Sequence, residues 1–420
     1  MVKLLVWEYK RQQLWDFSLG LALKSRRNLI TVVVYNNVVY ILAYALAMEY
    51  DQRKKGMSGG DRILIEISKE LMRRGHSSLI VTSETGAVML REYGIHQFLS
   101  IRGTSGPFRI LKKIIRGSVT SLRFDLSNVE IVYSSSIFLE DIIPGLMAKI
   151  RAHDAKWVVG YWLFPPNPFS KENPYRGKMW LRGLAFYLIG KLSLFLVRRW
   201  SDGVLVTNNL DKEKFERMGI SPSRILVLKG GVDGKACLPS TESIYDAVFI
   251  GRLHPQKGVI QLIDIWEKVS KRLPDSKLLI IGNGPLEDEV KARIRMKGLN
   301  RNVEMVGFKD GVEKMLLFSR SKIVLHPVLY DSGGMAPCEA MICGLPCIAY
   351  DIPELREYYP KGCLKVKPYD IEEFAEKIIN LLTDEGLFAS ISTEAKKYCA
   401  DWDWEKKARE LEGFLLSLKG

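Results

Sequence analysis

Short apolar runs bounded by glycine and polar turns recur along the chain, alternating with stretches in which apolar residues return at helical spacing. In the first half, runs at 78–82, 156–160, 203–207 and 225–228 read as strands, and residues 62–74 and 211–218 as helices. Ile63, Ile65, Ile67 and Leu71 supply the apolar positions of the first of these helices. The second half restarts with strands at 247–250, 278–281, 303–308, 323–325 and 347–350 and a helix over 259–272. Strand and helix in alternation predict an α/β chain with parallel sheets. A polar, turn-rich connection from Gly230 to Ser243 divides it in two. The expected organisation is an extension over 1–31, a first α/β domain over 32–232, a second over 246–398, and a closing helix in 399–420 that crosses back to the first. Trp402 and Trp404, near a polar break, are the residues expected to pack that helix.

One apolar run admits three readings. Residues 29–48 are uncharged for twenty positions, the length of a membrane span. Val, Ile and Tyr dominate and Asn36 and Asn37 interrupt them, as in a buried first strand. Lys24, Arg26 and Arg27 before the run, with Ala45-Leu46-Ala47 inside it, also fit a signal peptide.

Composition narrows the partners. With 420 residues and 47% hydrophobic content the chain can bury two cores, and 10% aromatic content argues against long disorder. Lys and Arg outnumber Asp and Glu by 62 to 48, a net charge of +14 that favours an anionic partner: nucleotide phosphate, acidic lipid or nucleic acid. Between Ile101 and Phe124 stand six basic residues and no acid, and residues 171–200 mix seven Lys or Arg with a strongly apolar helix. Such a helix suits either a membrane surface or a core position with solvated ends. The six cysteines form no C-x-x-C pair and the five histidines do not cluster beside them, so free thiols in a reducing compartment are expected.

The chemistry concentrates in residues 321–351, where a strand meets a turn with Gly333 and Gly334, a short helix closed by Gly344 and Pro346, and a second strand. Ligands of parallel sheets lie beyond the carboxyl ends of strands, where glycines let the backbone approach an anion. Asp331 and Glu339 flank the turn, and carboxylates accept hydrogen bonds from vicinal hydroxyls. Phosphate donors between two acids suit a sugar nucleotide; singly, each acid also reads as a turn former or a solvated helix residue. Upstream, Gly251 to Gly258 carries Arg252 and Lys257 five apart, a clamp for two phosphates or a solvated basic turn. Gly59 and Gly60 open the first helix, either at a phosphate or as a tight turn, and Gly282 begins the turn after another strand. His326 reads as structural or catalytic.

These motifs resemble the retaining, GT-B-fold glycosyltransferases of family 4, the glycosyl transferases group 1. Their signature is E-x7-E followed by A-M-x-x-G-x-P, and Glu339, Ala340, Met341, Gly344 and Pro346 match it, with Asp331 in place of the first glutamate. The run Gly251-Arg252-Leu253 with Lys257-Gly258 resembles the GRL-x3-KG element, and Gly59-Gly60-Asp61-Arg62 the first crossover. The resemblance implies two Rossmann-like domains facing across a cleft. It also implies Glu339 on the ribose, Asp331 on the transferred sugar, and the Gly334 and Met335 amides on the diphosphate beside Gly333. Arg252 and Lys257 would stabilise the leaving group, Gly59 and Gly60 lie near the diphosphate and acceptor, and Phe308 near the nucleobase. Many members carry a histidine where this chain has Tyr161 and Trp162, and no catalytic role is assigned there.

The expected activity is transfer of a sugar from a nucleotide-diphosphate donor to a hydroxyl, with configuration kept. No cofactor beyond that co-substrate is expected and no metal, since no D-x-D pair stands at a strand end. The acceptor expected from the basic, apolar stretches is lipid-linked, at the cytoplasmic face of an anionic membrane. Two alternatives stay open: a sugar-nucleotide epimerase on the same architecture, and a basic nucleic-acid-binding protein, although no RNA or DNA motif is present.

Overall fold

The structure, a computed structural model, describes residues 39–48, 57–106, 108–170, 173–175, 177–234, 237–238 and 242–419. The extension over 1–31 and the first half of the apolar run at 29–48 lie outside these residues. The part within them, Tyr40–Ala45, is strand β1.

Among the described residues two parallel sheets form. The first comprises β1, β2 (Ser77–Ser83), β3 (Phe98–Ile101), β4 (Ile131–Ser134), β5 (Lys156–Gly160), β6 (Gly203–Val206) and β7 (Ile225–Val227), in the order β3-β2-β1-β4-β5-β6-β7. The second comprises β8 (Tyr245–Ile250), β9 (Leu278–Ile281), β10 (Val303–Gly307), β11 (Ser321–His326), β12 (Cys347–Tyr350) and β13 (Cys363–Val366), in the order β10-β9-β8-β11-β12-β13. Every strand pairing is parallel, so each connection crosses over through a helix.

In the first half these helices are α1 (Gly59–Arg73), α2 (Glu84–Glu92), α3 (Arg109–Arg123), α4 (Leu139–Arg151), α5 (Lys178–Trp200) and α6 (Asn209–Arg217). In the second they are α7 (Val259–Arg272), α8 (Glu287–Met296), α9 (Gly311–Ser319), α10 (Met335–Met341), α11 (Pro353–Tyr358), α12 (Ile371–Thr383), α13 (Glu385–Cys399) and α14 (Trp404–Ser417). Helix α1 begins three residues earlier than its apolar periodicity suggests. Ser58 is its N-cap, and Ser58 and Asp61 satisfy each other's backbone N–H groups in a capping box. Gly59 and Gly60 therefore form the first turn of the helix rather than a loop before it.

Apolar side chains fill both faces of each sheet. One core of the first sheet buries Ile63, Leu64 and Ile67 of α1 together with Ala408, Leu411 and Leu415 of α14. The last helix thus packs on the first sheet, although α13 before it packs with the second. Val232 N–H donates to the Trp402 carbonyl (2.7 Å), and His76 Nε2 lies 2.7 Å from Glu412 Oε1. Burial of Leu411 and Leu415 is worth roughly 1.5 to 3 kcal/mol each.

The carboxyl end of β1 is held from α4. Asp141 is fully buried, and its Oδ1 accepts from the Leu46 and Ala47 amides (2.6 and 3.0 Å) while Oδ2 accepts from the Ser135 and Ser136 hydroxyls (3.1 and 2.6 Å). Asp141→Ala leaves two backbone N–H groups without their acceptor and is expected to cost about 3 kcal/mol or more of stability. Urea unfolding checks this, and an unchanged midpoint would count against the account of this corner.

The cysteines depart from expectation. Cys237 and Cys343 form a disulfide with a Cα–Cα distance of 5.3 Å, so the free-thiol reading fails for this pair. The two are 106 residues apart and meet only because the interdomain connection returns to the end of α10. The other four, Cys338, Cys347, Cys363 and Cys399, are free.

Candidate active site

In the second sheet the strand order reverses between the parallel neighbours β8 and β11, and the crevice at such a point is where ligands of open α/β sheets bind. The β8 loop carries Arg252 and Lys257, and the β11 loop carries Asp331, Gly333 and Gly334. The two loops are stitched together. Gln256 donates from Nε2 to the Tyr330 carbonyl (2.7 Å), and Leu329 N–H donates to the Gln256 carbonyl (3.0 Å). Gly258 permits this approach: its φ is +64°, and a Cβ there would lie 1.8 Å from the Pro327 carbonyl oxygen.

Lys257 Nζ and Asp331 Oδ2 are 2.6 Å apart, a contact between residues separated by 74 positions. Burial pushes the Asp331 carboxyl up, but the Lys257 ammonium, with the Ser332 amide, holds it below the usual carboxylate range. His326 Nε2, buried without a hydrogen-bond partner, points at the same turn, 3.9 Å from Asp331 Oδ2. Burial and then Lys257 lower the His326 pKa to about 3, so the ring is neutral. His254 is likewise lowered to about 4, first by burial, then by Arg252 and Lys257. Gly334 has φ +66°, and a Cβ there would meet His326 Nε2 at 2.6 Å; the Tyr359 hydroxyl donates to its carbonyl.

Glu339 is held by a residue that the sequence reading did not single out. Its Oε1 accepts from Lys314 of α9 (2.8 Å), not from Arg252 or Lys257. Lys314 Nζ also reaches Asp310 Oδ1 (2.8 Å), and Asp310 Oδ2 in turn takes Arg62 and the Tyr93 hydroxyl from the first domain. Burial opposes the charge on Asp310, but Lys314 and Arg62 hold its carboxyl far below the usual range. Arg252 is exposed, and its charge acts on Asp61 at the start of α1, whose carboxyl desolvation raises.

The remaining predicted positions converge from three strands and from the facing domain. Gly282 N–H donates to the Gly307 carbonyl (2.8 Å), next to half-buried Phe308, and a Cβ on Gly282 would lie 2.0 Å from the Gly251 carbonyl oxygen. Opposite, a Cβ on Gly59 would stand 4.0 Å from Met335 Sδ, and one on Gly60 would strike Trp162 at 2.6 Å. Gly333 is closed in by Tyr358, whose ring lies 2.3 Å from a Cβ placed there. The domains also bond directly at this turn. Thr207 Oγ1 and Asn208 Nδ2 each donate to the Ser332 carbonyl (both 2.7 Å), Ser332 Oγ donates to the Trp162 carbonyl, and Gly230 N–H donates to Tyr358 Oη (3.1 Å).

Sequence reasoning missed Lys314, Asp310, Arg62 and Tyr93. A signal existed for the first two, since Asp310 is the N-cap of α9 and Lys314 stands four residues on, at ion-pair spacing. Among the described residues no group of three or more His, Cys, Asp or Glu side chains could hold a metal ion.

Solved structures match this architecture along most of its length. Anabaena Alr3699/HepE in complex with UDP and glucose superposes with a TM-score of 0.67 at 19% identity, covering 90% of this chain and 100% of that one. Sucrose-phosphate synthase from Thermosynechococcus elongatus gives 0.69 at 17% identity, covering 89% and 97%. The fold is GT-B. Within this GT-B chain, residues 238–398 match the family described as glycosyl transferases group 1, the span that holds Arg252, Lys257, Asp331 and Glu339. Two curated relatives align through part of the chain. A glycogen synthase of Mycobacterium tuberculosis is 24% identical over 248 residues, 57% of this chain and 60% of that protein. The poly(glycerol-phosphate) alpha-glucosyltransferase of Bacillus subtilis is 28% identical over 156 residues, 36% of this chain and 23% of that protein. The chain therefore spans less than two thirds of either relative.

Proposed function

We propose that this protein is a glycosyltransferase that moves a sugar from a nucleotide-diphosphate donor to a hydroxyl acceptor with retention of configuration. The observation that carries the reading is the 2.6 Å meeting of Lys257 with Asp331 at the β8–β11 crevice, inside the span matched by the family. A diphosphate entering there meets the Lys257 ammonium, the Arg252 guanidinium and the amides of Gly334 and Met335, beside Gly333. Those cations stabilise charge on the departing phosphate. Asp331 then faces the hydroxyls of the transferred sugar, and Glu339, fixed by Lys314, the ribose. Gly282 and Phe308 border the nucleobase, and Gly59 and Gly60 the acceptor side. In this reading charge stabilisation is assigned to these residues rather than to a metal, and the enzyme works in the cytoplasm on a lipid-linked acceptor.

The HepE structure holds UDP and glucose, and the pneumococcal O-GlcNAc transferase GtfA is solved with UDP and GlcNAc, so uridine diphosphate sugars are the first donors to try. A thermal-shift screen of UDP-, GDP- and ADP-sugars is expected to give one responding base, with about 2.7 kcal/mol of added stability at 100 times Kd. Failure of all three to bind would overturn the reading. Conversion of the sugar nucleotide without any acceptor would replace it by epimerisation.

A further inference from the structure

Two helices of the first domain are turned inside out. Residues Lys113, Gly117 and Ser121 form the buried face of α3, while Leu111, Ile115, Val119 and Leu122 form an exposed one. Ile115 and Leu122 are 52% and 50% exposed. The close packing underneath is real: a Cβ on Gly117 would lie 2.5 Å from Leu46, and Ser121 Oγ lies 2.5 Å from the Tyr44 hydroxyl. Helix α5 repeats the arrangement. Gly183 and Gly190 pack against Tyr175 and Pro165, and Ser193 donates to the Ile137 carbonyl (2.5 Å). Outward stand Leu181, Leu188, Leu192 and Phe195, with Leu188 and Phe195 58% and 61% exposed. The exposed residues of α5 lie along its middle as well as its ends, so it is not a core helix with solvated ends.

Helix α4 packs between these two, and all three cover the same side of the first sheet. Neither α3 nor α5 contains an acid. Arg109, Arg116 and Arg123 recur every seven residues beside the apolar stripe of α3, and Arg182, Lys191 and Arg198 flank that of α5. Residues Met179–Trp200 are long and apolar enough to cross a membrane. The α5 side chains seated in the domain fix that helix along the surface instead.

We propose that the α3–α5 face docks on an anionic lipid bilayer, its leucines and phenylalanine entering the interfacial region and its arginines meeting lipid phosphates. The inner side of α5 reaches the active-site loop. Tyr175, under Gly183 of α5, sets its ring edge-on to His254 of the Arg252–Lys257 loop, with ring centroids 5.7 Å apart. An amphiphilic acceptor held in the bilayer has its hydroxyl end delivered beside that loop; this last clause rests on the transferase reading, and the docking does not.

Co-sedimentation of the full chain with phosphatidylglycerol–phosphatidylcholine vesicles tests it. Binding is expected at low salt and is lost on pure phosphatidylcholine or in high salt. Ile115→Glu with Leu188→Glu is expected to lower partitioning at least about tenfold, and Arg116→Gln or Arg123→Gln roughly fivefold each. These side chains are exposed, so the unfolding temperature should hold. Vesicle binding that ignores these substitutions would place it elsewhere on the chain and overturn the proposal. Failure to bind acidic vesicles, or self-association through this face in their absence, would overturn it too. Donor thermal shifts recorded on the same samples keep the two readings apart: a donor response without vesicle binding sinks only the docking, and the converse sinks only the transferase.

Discussion

Lys257→Ala is expected to lower turnover by about 30- to 1,000-fold, a barrier increase of roughly 2 to 4 kcal/mol. Lys257 has two tasks. In the proposed reading it neutralises the departing phosphate when donor is bound; in the structure it compensates Asp331, whose side chain is 10% exposed. Its removal leaves a buried carboxylate unpaired, so some stability is lost along with the rate. The double variant Lys257→Ala/Asp331→Asn separates the two effects. It should recover the unfolding temperature but not the turnover. Wild-type rates from either protein would remove Lys257 from the chemistry, and a single variant slowed only in proportion to its unfolded fraction would reduce it to a structural cation.

Gly258→Ala should do more damage than its size suggests. The left-handed backbone costs any Cβ-bearing residue about 1 to 2 kcal/mol. The atom it meets is the Pro327 backbone oxygen, which no rotamer change can move aside. A total loss of at least roughly 3 kcal/mol is expected, which lowers the unfolding temperature by several degrees. Because Gly258 lets the Arg252–Lys257 loop lie on the Pro327–Asp331 segment, the donor response in thermal shift should fall as well. An alanine variant that melts and binds donor like the parent would show that the two loops part without consequence.

Most of the parallel strands are legible because they are short apolar runs closed by glycine or polar residues, and 156–160, 278–281 and 347–350 match to the residue; β3, β4 and β13, four residues each, are not among the strands the pattern predicts. The cation loop and the acid turn were legible for the same reason, being punctuated by Gly251, Gly258, Gly333 and Gly334. The holder of Glu339 was not, since Lys314 comes from another helix, 25 residues away. Arg62 meets Asp310 across 248 residues, a pairing set by how the halves close and not by local pattern. Helix α3 shows a different limit. Periodicity reveals an apolar stripe, but its direction depends on the small residues opposite, which sequence alone weights as poor core formers.

Asp310 stands where both halves of the molecule pull on one carboxylate. To part the domains, Arg62 must let go of one of its oxygens, and Lys314 then has two oxygens of the same neighbour within reach instead of sharing itself evenly with Glu339. Parting the two halves therefore also loosens the acid that the proposed reading assigns to the ribose. On the proposed assignment of Glu339 to the ribose, nucleotide binding and the Arg62–Asp310 contact between the halves are coupled through Lys314.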